Sequence, residues 1–273
     1  MLRLLGNLCI CSDKGHIAQI GFGRQAIGAG LPESADVSIL KQTNMDNEQS
    51  FQRLAAVTAI ISAPLAFATL VLGSVAVDFN YEAFSDPELV LSVGSSGASL
   101  LGWGMVADIF GYYLLLAPLA LFLWHWLRPK DPKMADLYTF SGLAYMVIGA
   151  IGAGFLWMAW PSLINSYAAA SVQQREAIEI VFKTVTAGIK SGVWGMEAIP
   201  AGIWWLGIGF LLRTERRVLG IVTIVLGAFT FLTFVAAVLG LEPVFQIAFF
   251  VYLFLAPIWA LWLGIDLLRK PVA

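Results

Sequence analysis

Two carboxylic acids stand where the sequence around them is almost wholly apolar. Asp108 interrupts the run 101–127, and Glu197 interrupts the run 193–212. An ionisable side chain near the middle of a membrane-crossing helix costs about 2.5–3.5 kcal/mol on insertion scales, so each requires a reason. If both runs cross a bilayer in the same direction, Asp108 lies about 10 Å and Glu197 about 6 Å below the start of its run, at roughly 1.5 Å of rise per residue. The two carboxyls then share a layer in the outer third of the bilayer. Leaving water disfavours a carboxyl's charged form, and a second carboxyl nearby disfavours it further. Pairs of this kind serve proton-coupled sites and acid–base chemistry. Lys190, two helical turns before Glu197, is the candidate cationic partner. The competing reading is structural: hydrogen-bonded carboxyls that tie helices together, as polar side chains in membrane bundles commonly do.

The elements that must position these groups follow from composition. The chain has 273 residues, of which 59% are hydrophobic and 12% charged, and its mean hydropathy is +0.80. No soluble domain of this size has an interior able to hide so much apolar surface. That excludes a soluble enzyme, a disordered chain and a secreted disulfide scaffold. Six runs reach the roughly 20 residues needed to cross hydrocarbon: 54–77, 101–127, 137–160, 193–212, 218–241 and 244–268. Continuous runs exclude a β-barrel, whose strands are short and alternate. The expected fold is therefore an all-α polytopic transmembrane helical bundle of six spans. Residues 1–50 form an N-terminal extension and 51–273 the membrane domain.

With the N-terminus inside, every lysine and arginine of the 16 except Arg175, Lys183 and Lys190 falls on the inner side. The positive-inside rule then places both termini in the cytoplasm. A net charge of −2 gives no global basic field for nucleic acid. The lipid bilayer is the expected partner, and the sequence leaves the oligomeric state open.

Residues 1–50 are polar, mixed in charge and without a sustained helical period, and Met45 resembles a natural start, which makes 1–44 a mobile extension. Within it, Gly21-Phe22-Gly23-Arg24-Gln25-Ala26 matches a G-x-G-x-x-A turn, but that turn binds dinucleotides only inside a βαβ sheet. Cys9, Cys11 and His16 supply three metal ligands, one short of a closed zinc site. The other histidine, His125, lies at the inner interface, so a bis-histidine haem in the bundle is excluded. No H-E-x-x-H, P-loop or G-x-S-x-G motif occurs. No cofactor or metal is expected.

The remaining expectations concern local structure. Asp86-Pro87-Glu88 opens a capped short helix, and Ser171 with Gln174 makes a capping box. After it comes an amphipathic outer helix with Ile178, Val181, Phe182, Val185 and Ile189 on one face, opposite Arg175, Glu176, Glu179, Lys183 and Lys190, running into span four. Trp103, Trp157, Trp160 and Trp194 are expected at the outer interface and Trp124, Trp126, Trp259 and Trp262 at the inner one. Pro64, Pro118, Pro200 and Pro257 should bend their helices. Gly149, Gly152, Ala153 and Gly154 should admit a neighbouring helix. Asp266 can pair locally with Arg269 or Lys270. Spans four and six share Trp-Leu-Gly-Ile, at 205–208 and 262–265, followed by Leu-Leu-Arg in each, which hints at duplicated hairpins.

From Met45 onward the order of parts resembles a group of uncharacterised bacterial six-helix membrane proteins that share a domain of unknown function. The likeness rests on Leu54-Ala55-Ala56 behind a basic residue, Leu127-Arg128-Pro129-Lys130-Asp131-Pro132 after span two, the glycine-rich span three, the long outer segment, and Arg216-Arg217-Val218-Leu219-Gly220 before span five. It implies a bacterial plasma-membrane protein and supplies no catalytic residues. Three roles stay open. The first is a non-enzymatic accessory or sensory component that binds a small apolar or amphipathic molecule or a partner. The second is a proton-coupled transporter using Asp108 and Glu197. The third is an intramembrane enzyme using the same pair.

Overall fold

A computed structural model describes residues 33–80 and 86–270, with side chains from Asn47 onward. The two cysteines, His16 and the glycine-rich turn at 21–26 lie outside the described residues. Residues 43–273 form one compact unit. Among the described residues there is no strand, and six helices are long and apolar enough to cross a membrane.

The first of these is the later part of α1 (Glu33–Ala76). It extends well before Leu54, through a polar stretch with no apolar period. Lengthening an existing helix adds one hydrogen bond per residue fixed, so a nucleated span readily propagates into sequence that would not start a helix alone. The short α2 (Pro87–Leu91) is capped as expected, the Asp86 side chain accepting from Glu88 N–H. Then come α3 (Gly94–Asp108) and α4 (Ala117–Leu127), joined by a π turn at Ile109–Tyr113 and a 3₁₀ turn at Leu114–Leu116. Pro118 stands in the first turn of α4, where its missing N–H is harmless. The helix α5 (Pro132–Ala169) starts on an Asp131 cap, and α6 (Val172–Ala187) starts on the Ser171–Gln174 capping box. A second π turn, Gly188–Val193, carries α6 into α7 (Trp194–Leu212). The chain ends in α8 (Arg217–Val238) and α9 (Glu242–Arg269).

The two ends of the bundle are built differently. The basic turns gather at one end. There Gln52 Nε2 donates to the Leu267 carbonyl at 2.6 Å. Lys130 Nζ donates to Thr214 Oγ1 at 2.7 Å and pairs with Glu215 at 3.0 Å. Asp266 receives Arg216 Nε at 2.9 Å and Lys270 Nζ at 3.2 Å. The expected local pair to Lys270 is present, and Arg216 of the α7–α8 turn is a second partner that helical spacing does not reveal. At the opposite end an apolar cap joins the end of α1, α2, α3, the last turns of α5, and α6. Leu91, Leu101, Leu156, Ile164 and Phe182 are buried there. At about 1.5 Å per residue, the 38 residues of α5 and the 41 of α6 through α7 extend well past the roughly 30 Å of a hydrocarbon core.

Three expectations are corrected. Trp259 is fully buried among aromatic rings of the core rather than at an interface. On α6, Val181 is exposed, whereas Glu179 is half-buried and accepts from the Tyr167 hydroxyl at 3.1 Å. Docking against α5, which offers a polar partner, outweighs the simple apolar stripe. Gly154 has nothing within 4 Å of where a Cβ would stand, so it admits no neighbour.

Candidate functional site

The centre of the bundle is an aromatic layer. Tyr112, Tyr113, Tyr145, Trp204, Trp205, Tyr252 and Trp259 are buried in one core cluster. Tyr145 packs against Trp204 and Trp205 with ring centroids 5.9 and 5.1 Å away, and Trp259 meets both indoles edge-on. Such pairs each contribute on the order of 0.5–1.5 kcal/mol beyond area burial. The hydroxyls are held: Tyr145 donates to the Tyr112 carbonyl at 2.7 Å and lies 3.3 Å from the Tyr252 hydroxyl. Tyr112 donates to the Leu253 carbonyl at 2.7 Å. Trp259 Nε1 donates to Thr223 Oγ1 at 2.7 Å.

Asp108 and Glu197 lie beside this layer, and both are buried, at 7% and 5% exposure. Asp108 directly precedes the π turn that carries Tyr112 and Tyr113, and Glu197 lies on the first turn of α7. Tyr113 connects Glu197 to the aromatic layer. Its hydroxyl donates to Glu197 Oε2 at 3.2 Å, and its ring lies 5.3 Å from that of Tyr145. Among the described residues neither carboxyl has an ion pair, and Asp108 Oδ2 makes no hydrogen bond. Lys190 lies on the second π turn, with Nζ 5.6 Å from the centroid of the Trp160 ring. The ion pair expected between Lys190 and Glu197 is not among those described.

Glycines on α5 position both carboxyl-bearing segments. A Cβ at Gly149 would overlap the Tyr113 ring, and one at Gly152 would overlap the Trp194 indole. Gly149 also accepts a hydrogen bond from Trp194 Nε1 at 3.3 Å through its carbonyl. The two seats therefore hold one aromatic from each carboxyl-bearing segment, Tyr113 after Asp108 and Trp194 before Glu197. The expectation of close approach at Gly149 and Gly152 holds, with side-chain rings rather than a helix backbone as the visitors. Each carboxyl also has a π turn beside it: Ile109–Tyr113 follows Asp108 directly, and Gly188–Val193 ends four residues before Glu197. Single π turns inside α-helices are frequent at functional sites, because the extra residue re-aims side chains.

Sequence reading missed the tyrosines and the Trp204–Trp205 pair. Their signal was available. Interfacial belts explain aromatics at span ends, but Tyr145, Trp204, Trp205 and Tyr252 fall well inside their apolar runs. Buried hydroxyls there need partners, which predicts a polar network. The shared Trp-Leu-Gly-Ile does not mark equivalent places: Trp205 is fully buried, and Trp262 is exposed.

Residues 54–270 match the family described as Domain of unknown function (DUF4386), and the chain belongs to that family. The match takes in five of the six candidate spans whole and the first from residue 54. No curated protein and no solved structure matches the chain.

Proposed function

We propose that this is a non-enzymatic membrane protein of sensory or accessory type whose working element is the buried Asp108–Glu197 layer, which responds to protons. One observation carries this reading: two buried carboxyls on neighbouring segments, with a tyrosine hydroxyl on one, an unpartnered oxygen on the other and no ion pair on either among the described residues. Such a pair can hold different numbers of protons, and each state demands a different hydrogen-bond arrangement around Tyr113. Tyr113 touches Tyr145, which touches Trp204 and Trp205, so a change at the carboxyls has a packed route into the centre of the bundle.

Tryptophan fluorescence of the purified protein across a pH titration tests this. The wild type should show a reversible transition that is absent in Asp108→Asn with Glu197→Gln, both proteins having the same helical content. An unchanged transition in the folded double variant would sink the proposal.

A second reading is proton-coupled transport, favoured by the two π turns. Helices interrupted beside a polar site are how many transporters expose a binding site within the bilayer. Proteoliposomes given a pH jump separate the two readings. Proton flux that is lost in the double variant supports transport, whereas a fluorescence transition without flux supports sensing.

The orientation proposed is basic end inward, with both termini in the cytoplasm of a bacterial cell and the bundle in its plasma membrane. It rests on the positive-inside rule and on the gathering of Arg128, Lys130, Arg216 and Lys270 at one end. A reporter fused after Ala273 that is active only in the cytoplasm should be active; a reporter active only outside the membrane would reverse the orientation.

A further inference from the structure

At the basic end, the start of α8 and the last turns of α9 border an open cleft of about 220 Å³, lined by Arg216, Arg217, Val218, Trp262, Asp266 and Lys270. Asp266 engages two of its three cations: Arg216 Nε donates to Oδ2 at 2.9 Å, and Lys270 Nζ lies 3.2 Å from Oδ1. The carboxylate therefore fixes the geometry of the cleft and does not neutralise it, since three positive charges less one negative leave +2. Arg217 has no hydrogen bond or ion pair among the described residues.

The walls of the cleft lead into apolar surface. On α8, Val218, Ile221 and Val225 are exposed at helical spacing, and on α9 Phe254, Ile258 and Trp262 are exposed likewise. Val218 and Trp262 both border the cleft, so the two stripes begin there and run along neighbouring helices. Val218 is 63% exposed directly beside Arg217. A cationic cleft at the foot of two apolar stripes matches a molecule with an anionic head and hydrocarbon tails. Basic pockets between membrane helices at their charged ends recognise phosphate headgroups in this way, and an exposed tryptophan at that depth prefers the headgroup region.

We propose that this cleft binds the phosphate headgroup of an anionic phospholipid, whose acyl chains lie along the exposed stripes of α8 and α9. A free phosphate would use the cations and gain nothing from the stripes, which is why the lipid is the occupant favoured here. The site is separate from the carboxyl layer, and neither proposal depends on the other.

The test uses the full chain in phosphatidylcholine nanodiscs, with phosphatidylglycerol or inorganic phosphate added. Native mass spectrometry reads retained lipid and thermal unfolding reads Tm. Phosphatidylglycerol should be retained over phosphatidylcholine and raise Tm. Arg217→Gln with Lys270→Gln should weaken retention by about tenfold or more, given about 1 kcal/mol per basic residue near a charged headgroup, while Tm in pure phosphatidylcholine falls only by the small cost of losing the Lys270–Asp266 pair. The single variant Arg217→Gln, at a side chain outside every described ion pair, should lose several-fold and carries the test if the double variant fails to fold. Equal retention of the two lipids would overturn the proposal, as would unchanged retention in a folded variant. Inorganic phosphate raising Tm as much as the lipid would also overturn it, in favour of a free-anion site.

Discussion

Carboxylates at the basic end and the two buried carboxyls beside the aromatic layer live under opposite rules. Asp136 holds Arg128, Glu215 holds Lys130, and Asp266 holds Arg216 and Lys270. Asp108 and Glu197 hold no cation among the described residues; Glu197 has a tyrosine hydroxyl, and Asp108 Oδ2 has no described partner. The first group sits near water, where a charge is cheap and an ion pair mainly fixes the direction of turns and helix ends. The second sits where each charge is costly and no cation compensates it. Proton exchange at the basic end would break an ion pair. At Asp108 and Glu197 it breaks none of the ion pairs among the described residues.

The comparison can be broken most severely through the scaffold of the layer. Gly149→Leu drives a side chain into the Tyr113 ring and should destabilise the protein by about 3 kcal/mol through overpacking, whereas Gly154→Ala, in open space, should leave thermal unfolding unchanged. Equal effects of the two would show that α5 does not position Tyr113. Tyr113→Phe removes the donor to Glu197 Oε2 and should cost about 1–2 kcal/mol. It should also alter the pH response of tryptophan fluorescence, and a variant with the wild-type response would detach the tyrosine from the carboxyls. Asp266→Asn releases two cations at once at a partly exposed site, so after allowance for solvent screening its cost should be about 1 kcal/mol, shrinking as salt is added. Arg128→Gln should leave Tm where it was, since its pair with Asp136 is half exposed. A large loss there would erase the distinction between the two regions.

Much of the fold was legible because membrane helices announce themselves by length and apolarity. The six spans, the caps at Asp86 and Ser171, and the passage of α6 into the fourth span rest on signals within a few residues of one another. What escaped was contact between segments distant in sequence. Trp259 was expected at an interface because its position within the span fits a belt, and only the packing of α7 and α9 shows that it closes on Trp204 and Trp205. Arg216 reaches Asp266 across 50 residues, beyond any helical spacing rule. The π turns were invisible because an extra residue in a turn leaves no mark on composition.

The sequence by itself determined that this is a helical membrane bundle, where its spans lie and which turns carry positive charge. These follow from the cost of leaving water, which each segment meets largely on its own. Only the tertiary structure decided that Tyr113 donates to Glu197, that α5 glycines seat Tyr113 and Trp194, and that Arg216 and Lys270 share one aspartate. Those outcomes depend on which surfaces meet and on shape fitting at the scale of a single methyl group, and no one segment carries that information.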